Sequence, residues 1–413
     1  MIKVWDQGDV SGNTIPMAGR TLFTEIHGLL RHVPRIRHFL RLVLRFFHTV
    51  PAMFARRILP TSQHRGPASG FYSGAALVLK KSVPGEILLE SQTPPFFPQE
   101  SLMKLSGLRQ DGHQPWPVFW MEITHAQLCG RSLVPKDAMA RLMAEATFSR
   151  TGDKTDPAYD HVATGGGKLI SGNATSIVSR WGGDAWGNRL YGGAGYWHWL
   201  FDSVSRLSLM DRFPADTKVI TPPLTPWMRW FLNRLNLEDR IIETEATALR
   251  VEHFYFSSPS SMSGCWNPYA VDFLRQSFLS CGSPPSDSLP KRFYIIREGY
   301  TRGISNEQEV RDYFNSQGWA LIAPEKLSIP DQIALFRDAE AIAGLHGSAL
   351  TNLVWCSPGA SVIEFTSADF MSGAFEWLSS LNGLHHHFQL CPADTGENAA
   401  VPVGALHSFF NKE

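Results

Sequence analysis

The sequence predicts an α/β protein made of two halves, and three features of the chain carry this prediction. Beyond residue 290, apolar runs that read as strands alternate with amphipathic segments that read as helices. A looser alternation of the same kind follows residue 191. Between them, the stretch SCGSPPSDS at 280–288 is rich in turn residues and poor in apolar ones. It predicts a boundary between the halves within 257–290.

The predicted elements after residue 290 alternate regularly. Strands are expected at 292–296, 319–323, 341–344 and 361–365, and helices at 307–317, 330–338 and 349–355. Strands that are almost continuously apolar and separated by helices are typical of a parallel sheet that is covered on both faces.

The first half is predicted with less regularity. Strands are expected at 75–79, 86–89, 118–124, 218–221, 240–243 and 251–256, and helices at 136–146, 198–210 and 227–235. The glycine runs at 165–167 and 192–193 flank a stretch that reads as loop. The final segment, 404–413, is expected to be a helix that returns to this first half. Two such halves would face each other across a cleft.

Length and composition describe a globular chain with two domains. Its 413 residues exceed one ordinary core, because domains usually hold roughly 100–200 residues. Hydrophobic residues make up 43% of the chain, with 13 Trp and 26 Phe, which is enough to fill two cores. Lys plus Arg and Asp plus Glu both total 38, so the overall charge gives no reason to expect a nucleic-acid partner.

The cysteines and the amino terminus indicate a reducing compartment. The five cysteines lie far apart and form no CxxC pair, which argues against a zinc site or a disulfide framework. Residues 1–6 show no signal sequence, and no stretch approaches about 18 uninterrupted apolar residues. A cytoplasmic location is therefore expected.

One segment near the amino terminus is strongly basic. Residues 26–85 contain no Asp or Glu, and Arg37, Arg41 and Arg45 recur at every fourth position to form one helical stripe. A basic amphipathic helix is predicted within 26–60. It would either lie on an anionic membrane surface or pack on its own domain with solvated arginines.

The stretch AGLHGSALTN at 343–352 reads as a buried strand, a turn of small residues with one histidine, and a helix start. Ligands collect at the carboxyl ends of strands in open α/β sheets, where the N–H groups of a helix start bind phosphate. His346, Gly347, Ser348 and Asn352 are therefore candidate site residues. The alternative is that His346 is a satisfied core histidine.

Charged residues also follow the strands on either side of this turn. Arg297 and Arg302 come after the strand at 292–296, and two guanidinium groups suit a diphosphate because each donates paired hydrogen bonds. They would otherwise be ordinary surface charge. Asn306 and Glu307 belong either to this site or to a helix cap that includes Glu309.

Two further acids complete the set of candidates. Glu364 ends the strand at 361–365, where a carboxylate accepts hydrogen bonds from ribose hydroxyls or pairs with a core arginine. His198 and Asp202 are four residues apart on one predicted helical face. The imidazole would take a proton from a hydroxyl and the carboxylate would orient it or act as the base itself, unless the segment is only an aromatic helix anchor.

Two features argue against a metal. His385, His386 and His387 are adjacent on a strand and point to alternate faces, so the three cannot easily reach one ion. The chain contains no Asp-x-Asp, so clustered carboxylates that would hold a divalent ion on a diphosphate are not indicated. No metal and no other cofactor is expected.

Three segments together resemble the glycosyltransferase family 61 proteins. They are YWHWLFD at 196–202, YIIR at 294–297 with Arg302 and Asn306-Glu307, and HGSALTN at 346–352 with Pro358-Gly359 and Val362-Ile363-Glu364. The resemblance covers about residues 190–366. The family includes plant, animal and bacterial transferases. Gly195 and Ser205 depart from the family pattern, which often has Asn and Pro there.

The resemblance implies a GT-B-like architecture of two Rossmann-like domains and inverting transfer from a nucleotide sugar. It assigns donor binding to Arg297, Arg302, His346, Ser348, Asn352 and Glu364, and acceptor activation to His198 or Asp202. The expected domains are the basic segment 1–70, an acceptor-side domain at 71–260 and a donor-binding domain at 261–413.

The function expected from these observations is metal-independent transfer of a hexose or pentose to a glycan or lipid-linked acceptor, in bacterial surface or capsular polysaccharide biosynthesis. The enzyme would lie on the cytoplasmic side of the inner membrane, in contact with it through residues 26–60. One rival is a non-catalytic component that binds a sugar nucleotide or glycan within an assembly complex. A hydrolase that uses His346 as base is weaker, because no Gly-x-Ser-x-Gly turn accompanies it.

Overall fold

The computed structural model describes 61–62, 120–130, 132–136, 142–143, 167–179, 195–258, 261–262, 265–266, 268–284, 289–297, 303–367, 373–392 and 398–410. The predicted basic helix within 26–60 and the predicted strands at 75–79 and 86–89 lie outside these residues. The described part of the chain is mixed α/β, as the sequence predicts.

The strands of the described residues occur in the following order along the chain. They are Thr61–Ser62 (β1), Trp120–Cys129 (β2), Val134–Pro135 (β3), Leu142–Met143 (β4), Lys168–Ser176 (β5), Lys218–Thr221 (β6), Ile241–Glu243 (β7), Ala248–Ser257 (β8), Ser261–Met262 (β9), Cys265–Trp266 (β10), Arg292–Ile295 (β11), Ala320–Ile322 (β12), Ala341–Leu345 (β13), Ser361–Ser367 (β14) and His385–Cys391 (β15).

The helices fall into three types. The α-helices are Tyr196–His198 (α1), Pro226–Arg234 (α2), Pro268–Phe278 (α3), Glu307–Ser316 (α4), Ile329–Arg337 (α5), Ala374–Leu381 (α6) and Val403–Phe410 (α7). The helix that starts with α1 continues as a π-helical turn, Trp199–Ser203, and then as a 3₁₀-helix, Val204–Arg212. The other 3₁₀-helices are Glu238–Arg240, Leu279–Cys281, Pro324–Lys326 and Ser348–Trp355.

Two of these helices begin where sequence rules place a helix start. Pro226 occupies the first turn of α2 directly after Thr225, where its missing N–H costs nothing. The hydroxyl of Ser328 accepts a hydrogen bond from the backbone N–H of Asp331 and so caps α5. Each helix then buries one apolar face, as its pattern predicts.

The second half contains a five-stranded sheet in the order β12-β11-β13-β14-β15, and all its strand pairs are parallel. The strand order reverses between β11 and β13. In open α/β sheets such a reversal leaves a crevice outside the carboxyl ends of the two central strands, where ligands bind. The predicted parallel sheet is thus confirmed, and the residues that follow β11 and β13 are those that the sequence analysis singled out.

The first half contains a six-stranded sheet in the order β3-β2-β8-β5-β6-β7. Strands β8, β5, β6 and β7 are parallel, whereas β2 pairs antiparallel with β8 and with β3. The 3₁₀-helix Val204–Arg212 contacts the carboxyl ends of β8 and β5 through Arg206, so the helix that carries His198 lies near this edge of the sheet.

One apolar cluster contains residues from both halves. Trp199 and Phe201 of the first half and Leu353 and Trp355 of the second half are all buried in it. Aromatic rings form the connection through α3, since Phe278 lies 5.1 Å from Phe231 of α2 and 6.3 Å from Trp355, measured between ring centroids. Both sheets belong to one compact unit, Ile58–Glu413.

Several sequence-based predictions for single elements were wrong. Leu142 and Met143, which lie within the helix predicted at 136–146, instead form a strand that pairs in parallel with Thr61 and Ser62, so strand pairing overrides their helix propensity. Helix α3, which was not predicted, lies within 257–290, the range in which the boundary between the halves is expected, and its apolar face is buried. The last helix, α7, does not return to the first half, since Leu406 packs with Val310 and Phe314 of α4.

The helices of the described residues were compared with the length and apolarity of a membrane-spanning helix. None of them combines the length and the apolarity that crossing a bilayer requires.

Candidate functional site

His198 and Asp202 form a close pair at the π-helical turn. His198 Nδ1 lies 2.6 Å from Asp202 Oδ2, and the two side chains are 26% and 2% exposed. π-Helical turns are rare and concentrate at functional sites. The predicted juxtaposition of these residues is confirmed, and the carboxylate lies inside the protein while the imidazole reaches its surface.

A buried arginine lies one further turn along the same helix. Arg206 donates to the carbonyl oxygens of Ser257, at 2.8 and 3.1 Å, and of Val178, at 3.2 Å, so it ties the ends of β8 and β5 together. Burial lowers the pKa of Arg206 to about 10, and the negative charge of Asp202 acts in the opposite direction. The sequence analysis missed this residue, although the spacing 198–202–206 continues one helical face.

We expect Arg206→Ala to lower the free energy of unfolding by about 3–5 kcal/mol, because it removes one member of a buried set of charges together with its hydrogen bonds to two backbone carbonyls. Urea unfolding measures this loss. Arg250→Ala is the matched control, since Arg250 is exposed and its bond to the Gly167 carbonyl is long, at 3.4 Å. Equal losses in the two variants would contradict the role given to Arg206.

Arg297 follows β11, and its guanidinium packs against the turn at Gly347, which follows β13. The two therefore meet at the crevice between these strands. Arg297 donates to the carbonyl oxygen of His346 at 3.1 Å. A Cβ atom on Gly347 would lie 2.7 Å from a terminal nitrogen of that guanidinium. The backbone of Gly347 is extended, with φ of 172°, so the reason for glycine here is the close approach of Arg297 and not the backbone conformation.

The histidine helix and this turn are neighbours. A Cβ atom on Gly195, which precedes α1, would lie 3.7 Å from Ser348 Cβ, in ordinary van der Waals contact. The ring of Phe375 lies 5.1 Å from the ring of Trp197 and 4.9 Å from that of His346, between centroids. The first turn of the histidine helix therefore adjoins the crevice of the parallel sheet, and Phe375 connects the two.

Glu364 does not lie where a ribose contact requires it. Its side chain is fully buried, and one carboxylate oxygen is hydrogen-bonded to His346 Nδ1 while the other lies 2.9 Å from His386 Nε2. Burial raises the pKa of Glu364, but the charges and hydrogen bonds of the two histidines outweigh it, so the pKa lies below its usual range. The two partners of the Glu364 carboxylate are therefore histidines, where the sequence analysis expected either a ribose hydroxyl or a core arginine.

The three consecutive histidines follow the alternation predicted for a strand. His385 and His387 are exposed on β15, whereas His386 turns inward to Glu364. Ser379 Oγ lies 2.8 Å from the other ring nitrogen of His386. The sequence analysis did not find this inward histidine as a site residue.

Asn352 belongs to the core and not to the surface of the crevice. It is 1% exposed, its amide nitrogen donates to Gln332 Oε1 at 3.0 Å, and its amide oxygen accepts from Trp355 Nε1 at 3.0 Å. The same indole nitrogen lies 3.3 Å from Tyr196 OH. The expected donor contact of Asn352 does not fit this burial. Its polar atoms bond within the second half, and the indole of Trp355 makes the contact to Tyr196 of the first half.

Asn306 and Glu307 are also engaged within the protein. Asn306 precedes α4, as predicted for a cap, but its side chain bonds to the backbone of Val401 and to the side chain of Glu309, and not to a backbone N–H of the helix. Glu307 accepts from Tyr294 OH at 2.9 Å and from Arg311 at 3.0 Å. Both side chains thus have partners within the protein, and their expected donor contact stays a prediction. Arg302 lies outside the described residues.

The arrangement thus combines an imidazole–carboxylate pair with a basic, glycine-edged turn at the switch point of a parallel sheet. It defines an α/β protein with a crevice suited to an anionic ligand. The family model described as Glycosyltransferase 61 matches residues 196–363. The predicted resemblance to this family is thus confirmed over that region of the chain.

Two curated relatives also match. A beta-1,2-xylosyltransferase of Arabidopsis thaliana is 32% identical over 75 residues, which are 18% of this chain and 14% of the relative. A beta-1,2-xylosyltransferase of Oryza sativa subsp. japonica is 28% identical over 138 residues, 29% of this chain and 25% of the relative. The chain spans a quarter or less of the length of these relatives.

Proposed function

We propose that this protein is a glycosyltransferase that moves a sugar from a nucleotide-sugar donor to a hydroxyl of a glycan or lipid-linked acceptor. The observation that carries the proposal is the His198–Asp202 pair beside the turn formed by Arg297 and Gly347. A base for the acceptor and a cation for the leaving diphosphate are the two groups that this reaction needs, and the family match of the same region supports it.

In this proposal His198 is the base and Asp202 orients it. Asp202 is only 2% exposed and engages Nδ1 of the imidazole, so the carboxylate fixes which ring nitrogen takes the proton. The acceptor proton then passes to Nε2, the acceptor oxygen bonds to the anomeric carbon, and the bond from that carbon to the diphosphate oxygen breaks.

The leaving diphosphate gains negative charge as this bond breaks. Arg297 and the backbone N–H groups at the start of the 3₁₀-helix Ser348–Trp355 would stabilise it, because fixed donors at a developing charge act most strongly in the transition state. Arg302 keeps its expected role as a second guanidinium. Attack from the face opposite to the diphosphate inverts the anomeric carbon.

The two plant relatives direct the choice of sugar. Both are described as beta-1,2-xylosyltransferases, so we propose a pentose as the first sugar to test and a β linkage as the product. A β product from an α-linked donor is the outcome of inversion.

The proposal is tested first by binding and then by transfer. UDP-xylose and other nucleotide sugars are screened by thermal shift, since a ligand at 100 times its Kd stabilises a protein by about 2.7 kcal/mol. Binding donors are then incubated with glycan acceptors, and the product and its anomeric configuration are read by mass spectrometry and NMR. We expect a β-linked product and a rate that excess chelator leaves unchanged.

Each other outcome has a defined meaning. Donor binding without transfer to any acceptor would favour the non-catalytic binding component. A retained anomeric configuration would contradict the inverting mechanism. Loss of transfer in chelator that manganese restores would contradict metal independence.

A further inference from the structure

The 3₁₀-helix Ser348–Trp355 lies between the two parts of the candidate site. It begins directly after Gly347, in the turn at the crevice, and it ends at Trp355, whose indole nitrogen lies 3.3 Å from the hydroxyl oxygen of Tyr196. Tyr196 is the first residue of the histidine helix, two positions before His198. One short element therefore adjoins the proposed diphosphate site at its start and the helix of the proposed base at its end.

Side chains from other elements hold the end of this 3₁₀-helix. Arg275 of α3 donates to the carbonyl oxygens of Val354, at 2.6 Å, and Cys356, at 2.9 Å. Asn382, which follows α6, donates to the carbonyl oxygen of Leu353 at 2.8 Å. The last carbonyl groups of a helix have no partner within the helix, and here these two side chains supply one. The indole at the end of the helix is therefore presented from a fixed backbone.

Two buried side-chain amides fix the indole nitrogen of Trp355. An indole N–H can only donate, so it meets the amide oxygen of Asn352, 3.0 Å away. The amide nitrogen of Asn352 then donates to Gln332 at 3.0 Å, and Gln332 donates to the carbonyl oxygen of Leu327 at 3.2 Å. Because one end is a donor and the other an acceptor, neither amide can turn over without losing a hydrogen bond. We call Gln332, Asn352 and Trp355 the amide–indole chain.

The hydroxyl of Tyr196 connects this chain to the first half of the protein. The indole N–H is shared between Asn352 and Tyr196, and the bond to Asn352 is the shorter one. The ring of Tyr196 is packed separately, 5.8 Å from the ring of Trp227 and 6.2 Å from that of Phe231, between centroids. Removing the hydroxyl alone therefore breaks the bond between the halves, while the packing of the ring and the bond between Trp355 and Asn352 stay in place.

The distance between the base and the leaving group controls the rate of a transfer of this kind. The acceptor oxygen has to meet the anomeric carbon with the base behind it and the diphosphate on the opposite face. An error of about 1 Å in such an arrangement lowers the rate by about 10²-fold. His198 and the turn at Gly347 belong to different halves, and the bond from Trp355 to Tyr196 crosses between these halves two residues before His198.

We propose that the amide–indole chain, acting through Tyr196, positions His198 relative to the donor diphosphate. Its members are positioning residues, which serve the transfer without touching either substrate. Asn352 thus has a role in the reaction that differs from the donor contact implied by the family resemblance. The inference rests on the proposed function, because it takes His198 as the base of a transfer from a nucleotide sugar.

The first experiment compares the kinetics of Tyr196→Phe with those of the wild type, starting with UDP-xylose as the donor. We expect kcat to fall roughly 10–10²-fold, because His198 is no longer held at the distance that the transfer needs. The donor Kd, measured by calorimetry without acceptor, should stay unchanged, since the crevice of the second half keeps all its side chains. The melting temperature should stay close to that of the wild type.

A second background distinguishes positioning from a general disturbance of the structure. In His198→Ala no base is left to be positioned, so adding Tyr196→Phe should lower the residual kcat no further. A disturbance that spreads through the fold would lower kcat by the same factor in both backgrounds. That result would overturn the inference.

Trp355→Phe removes the same hydrogen bond from the other side and keeps an aromatic ring. It should lower kcat at least as much as Tyr196→Phe does, and the double variant should be no worse than Trp355→Phe alone. If Trp355→Phe fails to fold, Tyr196→Phe and its combination with His198→Ala decide the question. Tyr269→Phe is the matched control, because the Tyr269 hydroxyl donates to the carbonyl oxygen of Ser208 at 3.0 Å, farther along the helix that carries His198. It should leave kcat unchanged.

The outcomes separate this inference from the proposed function. Transfer by the wild type with an unchanged kcat in Tyr196→Phe overturns the inference alone. A loss of donor affinity in Tyr196→Phe as large as its loss of kcat also overturns the inference, because the chain would then serve donor binding. Absence of transfer by the wild type with every nucleotide sugar overturns the proposed function and the inference with it.

Discussion

Replacing His198 with alanine is expected to lower kcat by roughly 10²–10⁴-fold, the range that general acid–base catalysis contributes. The donor Kd should stay close to that of the wild type, because His198 acts on the acceptor. Asp202→Asn is expected to cause a loss of similar size. Its amide would donate to Nδ1 of His198 and place the ring proton on Nε2, where the acceptor proton has to go.

Steady-state kinetics and donor titrations check both variants. His253→Ala is the control, since His253 also pairs with a carboxylate, that of Glu122, but does so in the first sheet away from the crevice. It should leave kcat unchanged. If turnover is unchanged in both His198→Ala and Asp202→Asn, neither residue is the base or its partner.

Gly347→Ala is expected to lower kcat/KM by roughly 10²–10³-fold, as the loss of one donor to a developing oxyanion does. The new methyl group would lie 2.7 Å from the guanidinium of Arg297, which is the flexible end of its side chain and moves more easily than backbone. The fold should therefore survive while Arg297 leaves the carbonyl of His346. The loss should match that of Arg297→Ala.

Kinetics of the double variant test this mechanism. Because both substitutions act through one guanidinium, Gly347→Ala combined with Arg297→Ala should be no worse than Arg297→Ala alone. Gly404→Ala in α7 is the control, since a Cβ atom there meets nothing within 4 Å. Additive losses, or a large drop in Tm for Gly347→Ala, would show that the methyl group disturbs more than Arg297.

The parallel sheet of the second half could be predicted because its signals are local. Strands such as β11 and β13 are apolar runs that end at polar turns, and the turns identify the carboxyl-end crevice without further information. In the first half, β5 was missed. Gly172 and Asn173 interrupt its pattern, where the pairing with β8 shifts register, so the strand does not read as one from its sequence.

The roles of single polar residues could be predicted only where the partner is near in sequence. His198 and Asp202 are four residues apart, and their pairing followed from helix geometry. Glu364 and Asn352 bind partners 18 to 22 positions away, so nothing in their local pattern indicates that they are buried. Arg206 was missed for the same reason, since its carbonyl partners belong to distant strands.

The aromatic cluster that α3 shares with both sheets bears on how the chain folds. Phe278 of α3 touches Phe231 on one side and Trp355 on the other, so burial of these three rings needs both halves. A fragment cut at the stretch 280–288 would expose these rings to water on both pieces. The halves are therefore folding partners, and the described protein should denature in one cooperative transition despite having two sheets.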